Sequence, residues 1–131
     1  MRVALDASAA IEIALRRSRT ARLAAILAEA DVVLAPELFV PEVVHTICKY
    51  HRSESLSLDA CDRLLQAARG LVDALVPSME IRAEAFLLAR NSRRSAYDMF
   101  YLALARREDA ALLTTDTALR REAERQGVRV A

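Results

Sequence analysis

The chain has 131 residues, a formal net charge of +1 and 54% hydrophobic residues, of which few are aromatic. This length is enough for a single domain over residues 1–131 with a sizeable core, and the balanced charge does not by itself indicate a nucleic-acid partner. No apolar run is long enough to span a membrane, and Asp6 and Glu12 interrupt the N-terminal apolar stretch. We therefore expect no membrane segment, no signal peptide and a cytoplasmic location.

Short aliphatic runs alternate with helical patterns along the chain. The runs predict five strands, at Val3–Leu5, Val32–Ala35, Leu71–Val76, Ala110–Thr114 and Val128–Val130. The helices are predicted from Ser8 to about Arg17, then at Arg19–Ala30, Leu38–His51, Ser57–Gly70, Ser78–Arg90 and Ala96–Arg107, and from Thr115 or Asp116 to Gly127. This alternation predicts an α/β fold, with a mostly parallel sheet of about five strands covered by helices on both faces.

The stretch SAYDMFYLALA, which begins at Ser95, contains an acid that can be interpreted in two ways. Ser95 and Asp98 have the spacing of a capping box, in which both side chains satisfy free backbone N–H groups at a helix start. Taken alone, this spacing favours a capping role for Asp98. Alternatively, Asp98 holds a ligand.

Four acids are predicted to reach the same edge of the sheet. Asp6 and Asp116 follow the first and fourth strands, Glu42 lies on the helix after the second, and Asp98 lies in the first turn of the helix that leads into the fourth. Individually, Asp6 and Asp116 are read as helix caps, and Glu42 as a solvated acid. Their convergence is not explained in that way, because four carboxylates in one pocket repel one another.

A divalent metal ion removes this repulsion. Carboxylate oxygens without cysteine suit Mg²⁺ or Mn²⁺ better than zinc, and the only two cysteines, Cys48 and Cys61, are expected to be reduced. Such a site activates water, holds a phosphate oxygen and neutralises charge on a leaving oxygen. The acids therefore indicate phosphodiester hydrolysis.

The order of these motifs resembles the PIN domain family, over nearly the whole chain. The motifs are Asp6-Ala-Ser8, Pro36-Glu-Leu38 leading to Glu42, Tyr97-Asp98-Met-Phe-Tyr101-Leu-Ala-Leu-Ala105, and Leu113-Thr114-Thr115-Asp116 with Leu119. The length further resembles the toxin subunit of a VapBC toxin–antitoxin pair. The resemblance implies a three-layer α/β/α sandwich and a Mg²⁺- or Mn²⁺-dependent ribonuclease that cuts single-stranded or loop RNA, often tRNA or rRNA. It also implies a homodimer that a VapB-type antitoxin inhibits by laying its C-terminal segment across the active-site groove.

The resemblance also implies roles for the acids. Asp6 and Asp98 would be direct metal ligands, Glu42 would complete the metal site or orient the attacking water, and Asp116 would assist. All four are therefore catalytic and metal-site candidates.

Other residues match or depart from the family pattern near these acids. Ser8 and Thr114 fall where the family places hydroxyls that support the carboxylates. The family often has Asn three residues after the helical acid, where this chain has His45. His45 keeps the polar contact, joins the metal shell or lines the pocket rim. Pro41, just before Glu42, is expected to affect the start of that helix and the aim of the acid.

A basic loop precedes Asp98. Arg93 and Arg94 in this loop are candidate RNA contacts, and a solvated loop is the alternative. Tyr97 and Tyr101 can stack on bases, although core packing is the better interpretation for Tyr101.

Three other functions are alternatives to a nuclease. A phospho-acceptor receiver domain needs an acid after the third strand, where Pro77 and Ser78 stand, and a lysine after the fifth, whereas the only lysine is Lys49. A di-metal helix bundle needs a second copy of the spacing between Glu42 and His45, which is absent. A catalytically weak PIN-fold protein that acts mainly by binding its antitoxin remains the alternative function.

Overall fold

A computed structural model describes residues 1–131 and shows a four-stranded parallel sheet flanked by helices. The strands are β1 (Arg2–Leu5), β2 (Val32–Pro36), β3 (Ala74–Val76) and β4 (Ala111–Leu113), in the order β3-β2-β1-β4. In the register, Val3 lies opposite both Val33 on β2 and Ala111 on β4. The predicted α/β class with a parallel sheet is therefore confirmed. The strand order reverses at β1, which leaves a crevice at the carboxyl ends of β1 and its neighbours.

The predicted fifth strand is wrong. Val130 makes only an isolated parallel bridge to Leu112, and the segment forms two backbone hydrogen bonds with that residue. These contacts are too few to extend the sheet. The predicted third strand is shorter than expected, because Leu71 and Val72 donate their N–H groups to the last turn of the preceding helix.

Seven helices connect and cover the strands. They are α1 (Ala7–Ala14), α2 (Thr20–Ala28), α3 (Phe39–Ser53), α4 (Leu58–Arg69), α5 (Ser78–Arg90), α6 (Ala96–Arg107) and α7 (Thr117–Arg125). Pro41 lies in the first turn of α3, where a missing N–H group costs no intrahelical bond, so it does not disturb the helix. None of the helices combines the length and the apolar character that a bilayer crossing requires.

Helix α6 has a buried middle and carries one of the candidate acids. Its residues from Tyr101 to Ala105 are all buried, as is Met99. A helix that is apolar on nearly all sides is stable only when other elements surround it. Its N-terminal turn, which contains Asp98, is consequently held at a fixed place beside the sheet edge.

The start of α4 offers a direct test of local helix stabilisation. Ser57 caps this helix, and its hydroxyl oxygen accepts from the N–H of Ala60 at 3.1 Å. Replacement by alanine leaves that N–H without its partner, so Ser57→Ala is expected to lower the free energy of unfolding by about 1 kcal/mol. Urea denaturation measures the change. Ser18→Ala, at an exposed turn position between α1 and α2, is the control, and equal losses in both variants would contradict the capping role.

Candidate active site

The four candidate acids line one open pocket at the carboxyl edge of the sheet. The pocket has a volume of about 840 Å³, and its walls include Asp6, Glu42, Asp98 and Asp116. Each acid comes from a different element, so no local sequence pattern creates the cluster. The parallel sheet brings these elements to one edge, as the sequence analysis expected.

Asp6 is the most buried of the acids. Its Oδ2 accepts hydrogen bonds from Ser8 Oγ at 2.5 Å and from Thr114 Oγ1 at 2.7 Å. Its backbone N–H donates to the carbonyl of Leu113 at 3.0 Å, which ties the end of β1 to the end of β4. Burial raises the pKa of Asp6, the two hydroxyls oppose that rise, and the nearby charge of Asp98 adds to it.

The proposed helix-capping role of Asp6 is wrong. Asp6 occupies the position before α1, but its side chain makes no capping hydrogen bond. The hydroxyls of Ser8 and Thr114 donate hydrogen bonds to its carboxylate instead. Both hydroxyl residues therefore lie where they hold the Asp6 side chain in one orientation.

Glu42 projects from the first turn of α3 and is held by a tyrosine. The Tyr101 hydroxyl donates to Glu42 Oε1 at 2.7 Å. Burial raises the pKa of Glu42, and the charges of Asp6 and Asp98 raise it further, whereas the Tyr101 hydrogen bond lowers it. Tyr101 is fully buried, and burial raises its own pKa, so the phenol remains a protonated donor.

Core packing, the role predicted for Tyr101, is confirmed, but its hydrogen bond to Glu42 is a second role that was not predicted. A signal was present, because Tyr101 lies three residues after Asp98 and so shares its face of α6. The spacing alone does not identify Glu42, on another helix, as the acceptor.

The capping box predicted for Asp98 is only half formed. Ser95 Oγ accepts from the N–H of Tyr97 at 3.1 Å and so caps α6. The Asp98 carboxylate binds Arg94, with Oδ2 2.8 Å from Nη2 and 3.0 Å from Nε. Burial raises the pKa of Asp98, and the charge of Arg94 opposes this rise. The helix dipole and the arginine therefore both act on this acid.

Asp116 has two functions at the start of α7. Its Oδ1 caps the helix, accepting from the N–H groups of Ala118 at 2.9 Å and Leu119 at 3.1 Å. Its Oδ2 lies 2.7 Å from Arg94 Nη2. The cap predicted from the sequence is present, and it leaves one carboxylate oxygen directed at the arginine.

The remaining predicted residues lie around the pocket mouth. His45 is exposed on α3 and lines the pocket, which corresponds to the rim alternative. Tyr97 is exposed and also lines the pocket, whereas Arg93 is exposed in the loop before α6 and is not among the lining residues. Arg94 does not extend into solvent as a free RNA contact would, because its guanidinium bridges two acids.

A second wall of the pocket was not identified from the sequence. The Arg17 guanidinium lies 4.8 Å from the centre of the Tyr50 ring, and Arg19 lies 3.4 Å from the buried Glu12. These residues belong to α1, α3 and the turn after α1, where no motif marks them. They add basic and aromatic side chains to the lining of the pocket.

The donor set fits a hard divalent cation. All four acids are partly or fully buried, and anionic oxygens beside an open pocket suit Mg²⁺ or Mn²⁺, which keep several waters. Asp6, Glu42, Asp98 and Asp116 would hold the ion. No three His, Cys, Asp or Glu side chains form a ready-made metal cluster, so binding requires side-chain movement.

Comparisons with known proteins identify relatives of the fold. The family model described as PIN domain matches residues 3–124. The crystal structure of PAE2754 from Pyrobaculum aerophilum is similar, with a TM-score of 0.67 and 18% sequence identity, over 93% of this chain and 79% of that chain. At this identity the likeness concerns the fold alone. No curated protein matches the chain significantly.

The buried acids predict how stability depends on pH in the metal-free protein. The raised pKa of Asp6 means that the folded state binds its proton more tightly than the unfolded chain does. Its stabilising contribution is therefore full below the ordinary value of about 4 and is lost as pH rises through the raised value. Relative to Asp6→Asn, the wild type should gain unfolding free energy as pH falls through the raised pKa of Asp6 towards the ordinary value.

Urea denaturation in EDTA at several pH values measures this difference. Asp62→Asn is the matched control, because Asp62 is an exposed acid on α4, far in sequence from the pocket residues. We expect the difference between wild type and Asp62→Asn to stay constant over the same pH range. A constant difference for Asp6→Asn as well would contradict the burial effect.

Proposed function

Because the chain belongs to the PIN domain family, we propose that it is a Mg²⁺- or Mn²⁺-dependent endoribonuclease, the toxin of a VapBC-type toxin–antitoxin pair. PIN domains are generally metal-dependent nucleases. The convergence of Asp6, Glu42, Asp98 and Asp116 in one pocket is the observation that carries the proposal. All four acids of the family pattern are therefore present and lie together.

The chain supplies orientation and proton transfer in the proposed reaction. A divalent ion bound by the acids would polarise the phosphate and lower the pKa of a bound water. Ser8 and Thr114 hold the Asp6 carboxylate in one orientation, in which it would serve as a ligand of the ion. Glu42, fixed through one oxygen by Tyr101, keeps its other oxygen for the attacking water, and its raised pKa makes it a better base near neutral pH.

The surroundings of the pocket support RNA as the substrate. Arginine suits phosphate through two parallel hydrogen bonds, and tyrosine rings stack on unpaired bases. Arg17, Tyr50 and Tyr97 line the pocket and provide both groups, and Arg93 is an exposed arginine of the loop before α6. Single-stranded or loop RNA, as in tRNA or rRNA, is the proposed target, and it places the protein in the cytoplasm.

The proposal includes a homodimer and a VapB-type antitoxin. Surfaces that bind other proteins typically expose several large apolar side chains close together. Exposed side chains of this kind are Val40, Val44, Met79, Phe86 and Leu87. A second copy of the chain and an antitoxin would cover these side chains.

The alternative is a catalytically weak PIN-fold protein that works mainly by binding its antitoxin. The bridge from Arg94 to Asp98 and Asp116 favours this alternative, since it occupies two of the acids. An activity measurement distinguishes the two functions.

The test is cleavage of a panel of structured RNAs by purified, partner-free protein with Mg²⁺, Mn²⁺ or EDTA. We expect cleavage by the wild type with either metal and none in EDTA. Asp6→Asn and Asp98→Asn preserve size but remove an anionic ligand, so each should reduce the rate by at least about 100-fold.

Asp62→Asn is again the control and should cleave like the wild type. Circular dichroism verifies that each variant is folded. A folded wild type that cuts no RNA with any metal would support the binding-only alternative.

A further inference from the structure

Arg94 joins two carboxylates that belong to different helices. Its Nη2 lies 2.8 Å from Asp98 Oδ2, in the first turn of α6, and 2.7 Å from Asp116 Oδ2, at the cap of α7. The backbone of Arg94 is itself fixed, because its N–H donates to Ser92 Oγ at 3.0 Å. One guanidinium therefore holds together two acids that would otherwise repel.

Arg94 is the only cation in contact with the four acids. Asp6 is bound by two hydroxyls and Glu42 by one, and these groups carry no charge. The other basic side chains of the pocket have partners elsewhere, since Arg17 lies over Tyr50 and Arg19 binds Glu12. In the metal-free protein, Arg94 is therefore the single side chain whose positive charge balances the negative charge of the four acids.

Arg94 occupies one oxygen of each of two acids that would hold a divalent ion. Asp98 Oδ2 already accepts from both Nε and Nη2, which leaves this oxygen little capacity for a metal bond. A guanidinium and a divalent cation also repel at such short range. Asp116 has both oxygens occupied, since Oδ1 caps α7 and Oδ2 binds Arg94. A metal bound to the remaining oxygen of Asp98, Oδ1, would lie close to the guanidinium, and the repulsion would favour release of Arg94.

On this basis, and resting on the metal-dependent function proposed above, we propose that Arg94 is an internal counter-ion that competes with the divalent metal for Asp98 and Asp116. Without metal, Arg94 keeps the two acids close and neutralises them. When metal binds, Arg94 is displaced. It is a positioning residue, and it lowers the affinity of the site for metal.

The experiment is Mn²⁺ titration of the metal-free protein, followed by the electron paramagnetic resonance signal of free Mn²⁺. Arg94→Gln removes the competing charge, so the dissociation constant should fall by about tenfold. Arg94→Lys keeps a charge and should remain close to the wild type. Arg121→Gln, an equal change of charge at an exposed position on α7, should not alter affinity.

Thermal unfolding supplies a second measurement on the same proteins. In EDTA, Arg94→Gln should melt below the wild type, and saturating Mn²⁺ should raise its melting temperature by more than it raises that of the wild type. Both results keep the test independent of RNA cleavage. Failure to cut RNA would overturn the nuclease proposal and leave this inference standing.

Mn²⁺ affinity in Arg94→Gln that is equal to or weaker than in the wild type would overturn the inference. An equal gain in Arg121→Gln would also overturn it, because the effect would then come from net charge alone. Absence of Mn²⁺ binding in every variant would likewise exclude competition.

Discussion

The parallel pairing of β1 with β4 is the constraint on which the site depends. Leu5 lies opposite Leu113, and the next residue of each strand, Asp6 or Thr114, leaves the sheet at the same edge. The backbone bond from Asp6 to Leu113 and the side-chain bond from Thr114 to Asp6 make this edge a single unit. A shift of the register by one residue would turn the acid to the opposite face and separate it from its hydroxyls. The buried α6 then adds Asp98, and α3 adds Glu42, to an edge that is already fixed.

The pocket balances its negative charge in two different ways. Around Asp6 and Glu42, neutral hydroxyls from Ser8, Thr114 and Tyr101 satisfy the carboxylates, and burial raises both pKa values. Around Asp98 and Asp116, the positive charge of Arg94 balances the negative charge. The first half is rigid because its donors lie on buried elements. The second half depends on a long arginine side chain from a loop, so it can rearrange at lower cost.

The sequence was sufficient to predict the fold class, the positions of most elements and the convergence of the acids. Acids at strand ends can be located in this way because the carboxyl ends of parallel strands lie at the same edge of the sheet. The bonds between elements could not be predicted. Asp98 has the spacing of a capping box, but Arg94 from the adjacent loop binds it, and the hydroxyl of Tyr101 reaches an acid on another helix. The prediction of a final strand was wrong. The aliphatic residues Val128 and Val130 do not reveal that this segment forms only one isolated bridge to β4, at Leu112.

The long sequence separation within the Asp6 cluster has a consequence for synthesis on the ribosome. Asp6 is made 108 residues before its partner Thr114. A growing chain can form β1, β2 and most of the helices before β4 exists. Until residues 111–119 emerge, Asp6 has no Thr114 hydroxyl, Asp116 is missing and Arg94 has only one acid to bind. A translation product that stops before residue 116 therefore lacks part of the pocket, and the site is completed only after β4 has been made.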